Sequence, residues 1–266
     1  MKNGWAITKA SLKVVSKDPE FLILPVIVGV IMLGVLASFF VGGLFFSKLN
    51  WVFAVLFYMI SFTLSYFIQA MVLEGAKVRF AGGDPNLGTA FSAAVKKIDK
   101  IVLLAIISSI VSIIVQVIRG EGEKKGGLGG IAIQLIASLI GASWTVVSYF
   151  SLPVILNEDV SVFKSFPRSV ELFKKTWGEN ISSSVSLLVL YLPAVLFFLL
   201  AIASLFVGLV ALTLIFAGLF LLSLFLGAVI GSVAKSIIAQ ALYQYASTGK
   251  VPSIMPEEQV KGFYGK

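Results

Sequence analysis

From Asn180 to Ala234 the chain runs for 55 residues without one charged side chain. That is far too long for a single membrane crossing, which takes about 20 residues. It fits two crossings joined by a tight hairpin, with Gly208 as the expected turn. Four shorter uncharged runs precede it: Phe21 to Ser47, Leu49 to Leu73, Ile101 to Ile118 and Gly126 to Asn157. Each fits one crossing. The expected fold is all-α, a polytopic transmembrane helical bundle of six spans. The spans fall at about 21–46, 50–73, 101–118, 130–156, 182–206 and 209–234 of a single transmembrane domain covering 1–266, with a cytoplasmic helix extension and tail over 235–266.

Composition agrees. Hydrophobic residues make up 58% of the chain and charged residues only 13%, about half the share of a soluble domain. The mean hydropathy is +1.01. The chain has neither Cys nor His. Disulfides, thiolate chemistry, imidazole bases and the common zinc and haem ligand sets are therefore excluded. No cofactor is expected. The opening 20 residues are mixed in polarity, and the apolar run after them is about twice the length of a signal-peptide core, so no cleavable signal is expected.

The net charge is +8, and it is distributed unevenly. With six spans, 17 Lys and Arg fall on one side of the membrane and 4 on the other. The positive-inside rule then places both termini and the two long loops in the cytoplasm, in the plasma membrane of a prokaryote. The positive charge fits attraction to anionic lipid better than nucleic-acid binding, for which no basic-aromatic module is present.

Each of the three hairpins follows a stretch that reads as an amphipathic helix in the membrane interface. The chain is thus expected to repeat a helix-plus-hairpin unit three times. In the first stretch Trp5, Thr8, Leu12 and Val15 keep helical spacing; in the second, Phe91, Ala94, Val95 and Ile98 share a face. In the third, Phe163, Phe166, Val170, Phe173 and Trp177 form a stripe, with Lys164, Arg168, Glu171, Lys174 and Lys175 off it. Pro167 predicts a helix start near Ser165. The chain also runs on as helix beyond spans two and six, to stops at Gly82 and Gly249.

Within the spans the strongest polar groups are Gln69, Gln116 and Gln134. They could line a cavity, but interhelical hydrogen bonding is the commoner role of such residues. Small residues recur four apart at Gly34, Ser38 and Gly42, and at Gly227 and Gly231, a spacing read as packing within one chain. Pro153, near the end of span four, predicts a kink. Glu74, Glu158 and Asp159 could meet Arg79, Arg168 and Lys235 at the span ends. The Gly-rich run from Gly120 to Gly130 lacks the Lys-Ser/Thr ending of a nucleotide loop, and no charge falls at the centre of any expected span.

Two segments carry a family likeness: Asn3 to Ile27, and Ser143 to Asn180. The second contains a Trp in span four, Pro153 and Glu158 at its end, a basic helix with Ser165, Arg168 and Ser169, and the Trp177-Gly178-Glu179 triplet. It resembles an uncharacterised prokaryotic family of six-span membrane proteins, a domain of unknown function. More distantly it is similar to the membrane domain of some glycerophosphodiester phosphodiesterases. Pro167 departs from that pattern. The resemblance implies the six-span fold and brings no catalytic residues.

The function expected from these readings is non-catalytic, lipid-binding or membrane-organising. Phe163, Phe166, Phe173 and Trp177 would enter the interface, and Lys164, Arg168, Lys174 and Lys175 would meet anionic headgroups. Membrane lipid is the expected partner, and a homo-oligomer is left open. The alternative is a passive transporter or channel for a small neutral or apolar solute, lined by Gln and Ser. No residue is placed in a catalytic or metal-binding role.

Overall fold

A computed structural model describes residues 2–45, 50–250 and 252. Lys48 and the tail lysines Lys261 and Lys266, all counted in the charge tally, lie outside the described residues, as does the Glu179 side chain. The fold is all-α. In order come α1 (Lys2–Lys17), a 3-10 turn (Pro19–Leu22), α2 (Ile23–Phe45), α3 (Asn50–Phe80) and α4 (Leu87–Val95). These are followed by α5 (Ile98–Lys125), α6 (Gly127–Tyr149), α7 (Ser151–Glu158) and α8 (Val162–Ser186). A second 3-10 turn (Leu187–Tyr191), α9 (Leu192–Phe206) and α10 (Val210–Thr248) complete the chain.

Six segments are long and apolar enough to cross a membrane: Pro19–Val41, Val52–Phe80, Ile98–Lys125, Gly127–Glu158, Ile181–Phe206 and Val210–Thr248. They pair as the hairpins α2/α3, α5/α6 and α9/α10. The second hairpin turns at Gly126 and Gly127, with φ of +61° and +56°, where a side chain would be strained. Across it Gly122 and Gly130 approach so closely that a Cβ on either would strike the other's carbonyl oxygen. The Gly-rich run is thus a helical corner. The third hairpin turns at Gly208, φ +76°, and the Ser204 and Thr213 hydroxyls bond across it at 2.9 Å.

The buried core lies at one end of the bundle. Leu73, Ile101, Leu104, Leu152, Ile155, Leu172 and Ile238 are fully buried there and come from five different helices, and Phe150, between α6 and α7, is buried with them. The helices α1, α4 and α8 gather at this basic end. Toward the opposite end the spans expose Leu33, Phe40, Phe206, Val207 and Leu214. A surface of that kind is stable only in hydrocarbon.

Helices α1, α4 and α8 bury part of the spacings read from the sequence, among them Thr8, Val15 and Ala94, together with small residues not picked out there. On α1 the buried residues are Ile7, Thr8, Ala10, Ser11, Val14 and Val15, while Trp5 is exposed. On α4 they are Ala90 and Ala94; Phe91 and Val95 are exposed, and Ile98 already belongs to α5. On α8 the face turned inward is Val162, Ser165, Ser169, Leu172 and Thr176. Phe166 and Phe173 flank it, half-buried, with their rings edge-on to Trp144 at 5.5 Å and Tyr149 at 5.6 Å. Small hydroxyl residues let α8 approach its neighbours closely, and their hydroxyls bond backbone carbonyls. Packing volume therefore outweighs hydropathy in choosing the face. Helix α8 also starts at Val162, so Pro167 lies within it rather than in its first turn. The backbone bond Pro167 omits would run to Phe163, and both residues are exposed.

The small-residue pairs divide. Gly227 packs on Leu190 and Tyr191, where a Cβ would meet atoms at 3.2 Å. Gly34 has open space beside it, and Ser38 bonds its carbonyl at 2.8 Å. Packing within the chain thus accounts for Gly227 and not for Gly34. Beyond the spans, α10 ends on Gly249 at φ +71°, whose N–H reaches the Tyr245 carbonyl at 2.8 Å.

Candidate functional site

Four helices border an open polar cavity of about 480 Å³ along the spans. Helix α3 contributes Tyr58, Phe62, Tyr66 and Gln69, which succeed one another at about one turn per step and so line a single face. From α5 come Ser112, Gln116 and Arg119; from α6, Trp144, Thr145, Ser148 and Tyr149; and from α10, Lys235 and Ala239. Tyr66 shares a hydrogen bond with the Ser108 hydroxyl at 2.8 Å, and the Gln116 amide donates to the Tyr58 hydroxyl at 3.5 Å. Tyr58 and Gln69 are 11 residues apart on α3, so the cavity runs for about 16 Å along the span axis. One cation, Arg119, lies toward the Tyr58 end and one, Lys235, toward the Gln69 end. No carboxylate is among the lining residues.

A second cavity, of about 300 Å³, lies beside it. It is lined by Ser65 and Gln69 of α3 and by Ser232, Lys235 and Ser236 of α10, among others. Gln69 and Lys235 are common to both cavities. A third, apolar cavity of about 860 Å³ opens between α2 and α3 and shares Tyr58 with the first.

Ionic contacts tie the basic end together. The Asp18 carboxylate is buried and is gripped by Arg79, whose Nε lies 2.9 Å from it; Nη2 bonds the other oxygen. Arg79 also reaches Asp84 at 2.6 Å. Glu158 accepts from Arg168 Nε at 3.0 Å and from the Tyr243 hydroxyl at 3.1 Å, joining α7, α8 and α10. Arg168 and Lys175 both bond Glu171, at 2.8 and 2.9 Å. These cations hold the Glu171 carboxyl below its ordinary range, and Glu171 and Glu158 together raise the Arg168 guanidinium. Asp159 pairs with Lys97 at 2.5 Å and Lys100 at 2.6 Å, and the two ammonium groups hold its pKa down at about 2. Among the described residues no group of Asp and Glu gathers in a metal-ligating set.

A family of unknown function, DUF6159, matches residues 48–253, which is about three quarters of the chain. The chain belongs to DUF6159. No curated protein and no solved structure matches it. The match in this DUF6159 chain covers all four helices of the polar cavity and the whole of α8.

Of the intramembrane amides picked out by sequence, the DUF6159 fold brings Gln69 and Gln116 into one cavity and leaves Gln134 outside it, on an exposed part of α6. Of the α8 residues, Phe163 and Trp177 are 65% and 61% exposed, and Lys164, Lys174 and Lys175 are exposed with them. Arg168 is turned to Glu158 and Glu171 instead. Of the span-end carboxylates, Glu158 meets Arg168 as expected. Asp159 goes to Lys97 and Lys100, Glu74 to Lys77 at 3.7 Å, and Arg79 to Asp18.

Sequence reasoning missed Arg119 and the tyrosines of the cavity, and it offered Lys235 as a partner for the span-end carboxylates rather than as a lining residue. Lys235 ends an uncharged run and so reads as a flank, yet α10 continues for 13 residues beyond it. Ser169 was picked out only as part of a Ser-rich basic helix, and its contact with the fourth span was missed. The only available signal there was the spacing of Ser165, Ser169, Leu172 and Thr176, which repeats every turn but is not apolar.

Proposed function

We propose that this DUF6159 protein is a non-catalytic lipid-binding protein of a prokaryotic plasma membrane, with both termini in the cytoplasm. The outward face of α8 carries this reading. By helical spacing Phe163 and Lys174 share one face, and Trp177, just past the break in the helix at Thr176, is exposed as they are. The opposite face is buried in the protein. An aromatic pair with an adjacent cation, on a helix fixed at the basic end, matches the chemistry of an anionic leaflet: rings at the headgroup level and ammonium groups among phosphates. Orientation follows from the same charge, since the positive-inside rule puts that end in the cytoplasm.

The test is a Lys164→Glu, Lys174→Glu double variant, which avoids the paired Arg168 and Lys175. Association with anionic vesicles should fall about thirtyfold or more, since each of the two basic residues near such a surface contributes about 1 kcal/mol. Unchanged association would overturn the reading.

The polar cavity favours a second reading, passive passage of a small solute. Its support is the meeting of Gln69 and Gln116 in one space. Solute flux in proteoliposomes, lost in Gln69→Leu, would establish it; its absence for every solute tried would remove it.

A further inference from the structure

We propose that Lys235 and Gln69 form a seat for the phosphate of an anionic lipid, reached from the basic end of the bundle. The inference rests on the lipid-binding reading above but uses a different site. Four observations converge on it.

First, Lys235 lies within α10, not at its end, and together with Gln69 it faces both the 480 Å³ and the 300 Å³ cavities. The Lys235 side chain is exposed, so its ammonium is open to a ligand that enters from the basic end. Second, neither side chain is satisfied by the protein. No ion pair or hydrogen bond engages the Lys235 ammonium or the Gln69 amide among the described residues. Between them they offer five N–H donors, which suits the several acceptor oxygens of a phosphate.

Third, the surroundings select an anion. Neither cavity is lined by a carboxylate, and Arg119 adds a second positive charge to the larger one. A neutral solute would leave both cations uncompensated. Fourth, the site has room for acyl chains. The apolar cavity between α2 and α3 is lined by Leu33, Leu36, Phe40 and Phe57, and it meets the polar cavity at Tyr58. A ligand with a charged head and apolar tails fits this sequence of spaces; a free phosphate would use only the head of it. The level also fits, because Val233, Ala234 and Ser236 beside Lys235 belong to the buried zone at the basic end.

The experiment uses the full chain in nanodiscs of phosphatidylcholine with increasing phosphatidylglycerol, released for native mass spectrometry. The wild type should retain phosphatidylglycerol in preference to phosphatidylcholine. Lys235→Gln and Gln69→Leu should each reduce that retention about tenfold, the effect of losing one charge-assisted contact. Lys235→Arg should keep it and serves as the folded reference. Millimolar inorganic phosphate should not displace the lipid; complete displacement would give the seat to a soluble phosphate and overturn the lipid assignment. Unchanged retention in Lys235→Gln would overturn the seat. If the α8 double variant lost lipid while Lys235→Gln did not, the seat would fall and the reading of α8 would stand. Loss in neither would remove both.

Discussion

The Ser169 hydroxyl occupies the broken turn of the fourth span, accepting the Phe150 N–H at 2.9 Å and reaching the Val146 carbonyl at 3.3 Å. In an unbroken helix Phe150 and Val146 would bond each other. A side chain from α8 has been inserted between them, three residues before Pro153, which has no N–H of its own to offer. Phe150 has φ −100° and ψ 3° and separates α6 from α7. The kink foreseen at Pro153 is therefore held open by another helix. Ser169→Ala would leave the buried Phe150 N–H only the Ser148 carbonyl two residues back, at a cost of about 1–3 kcal/mol. Thermal unfolding of the purified protein in detergent should shift down accordingly, while Ser165→Ala, whose hydroxyl bonds only its own helix at Val162, should shift it less.

Asp18 and Arg79 make a second fixed point. The carboxylate is buried between the end of α1 and the end of α3. Removing the guanidinium in Arg79→Met strands a buried charge, which costs about 3–5 kcal/mol. The double change Asp18→Asn, Arg79→Met should recover a large part of that loss. Limited proteolysis after Lys13 and Lys17 reports release of α1 directly: cleavage should speed up in the single variant and slow again in the double.

Asp159 gives the expected dependence on pH. Its folded pKa, about 2, is below its ordinary value of 3.8. The contribution of the Lys97 and Lys100 pairs is thus complete above about pH 4 and is lost as pH falls toward 2. The group is exposed, so screening keeps the effect small. Carboxyl NMR titration should find Asp159 protonating below its ordinary value in the wild type, and Lys100→Gln should raise its midpoint. Asp159 is also the one non-glycine residue among those described with positive φ, at 52°. Asp159→Asn tolerates that conformation and isolates the charge, whereas Asp159→Val would add backbone strain.

Gly75 lies against the Phe21 ring so closely that an added Cβ would overlap it. Phe21 is buried, so its ring can shift only at the expense of the packing around it. Gly75→Ala should destabilise by about 1–3 kcal/mol through overpacking, despite the better helix propensity of Ala. Gly34→Ala, with open space around it, should be neutral or slightly stabilising, and thermal shifts of the two variants side by side test the contrast.

The six spans were legible because their signal is the length of uncharged runs, which depends on no tertiary contact. Gly208 was legible for a similar reason, as a Gly near the middle of a run too long for one crossing. The buried faces of α1, α4 and α8 were legible only in part: Thr8, Val15 and Ala94 were on the spacings read, and Ile7, Val14, Ala90 and Leu172 were not. Hydropathy ranks Phe163 and Trp177 above Ser165 and Ser169, yet helix–helix approach selects small side chains, and the rings are left outside. The pairing of Asp159 with Lys97 and Lys100 joins residues 62 and 59 positions apart, and nothing local announces it. Gln69 and Gln116 stood out as polar residues in apolar spans, but their meeting in one cavity depends on how α3 and α5 pack. Lys235 was hidden by the counting itself, since a run between charges ends at the first charge it meets.

The position of the core has a consequence for how the molecule is made. Its centre is filled by Val233, Ile237, Ile238, Ala241 and Leu242 of α10, which packs against α1, α3, α8 and α9. Synthesis runs from the N-terminus, so the first two hairpins are finished long before these residues exist. Each hairpin must persist in the bilayer as an independent unit, and α1 must wait beside it with its buried face uncovered. Assembly is thus a late event, triggered when the last helix arrives. A chain stopped short of residue 229 would still cross the membrane, but its parts would have nothing to gather around.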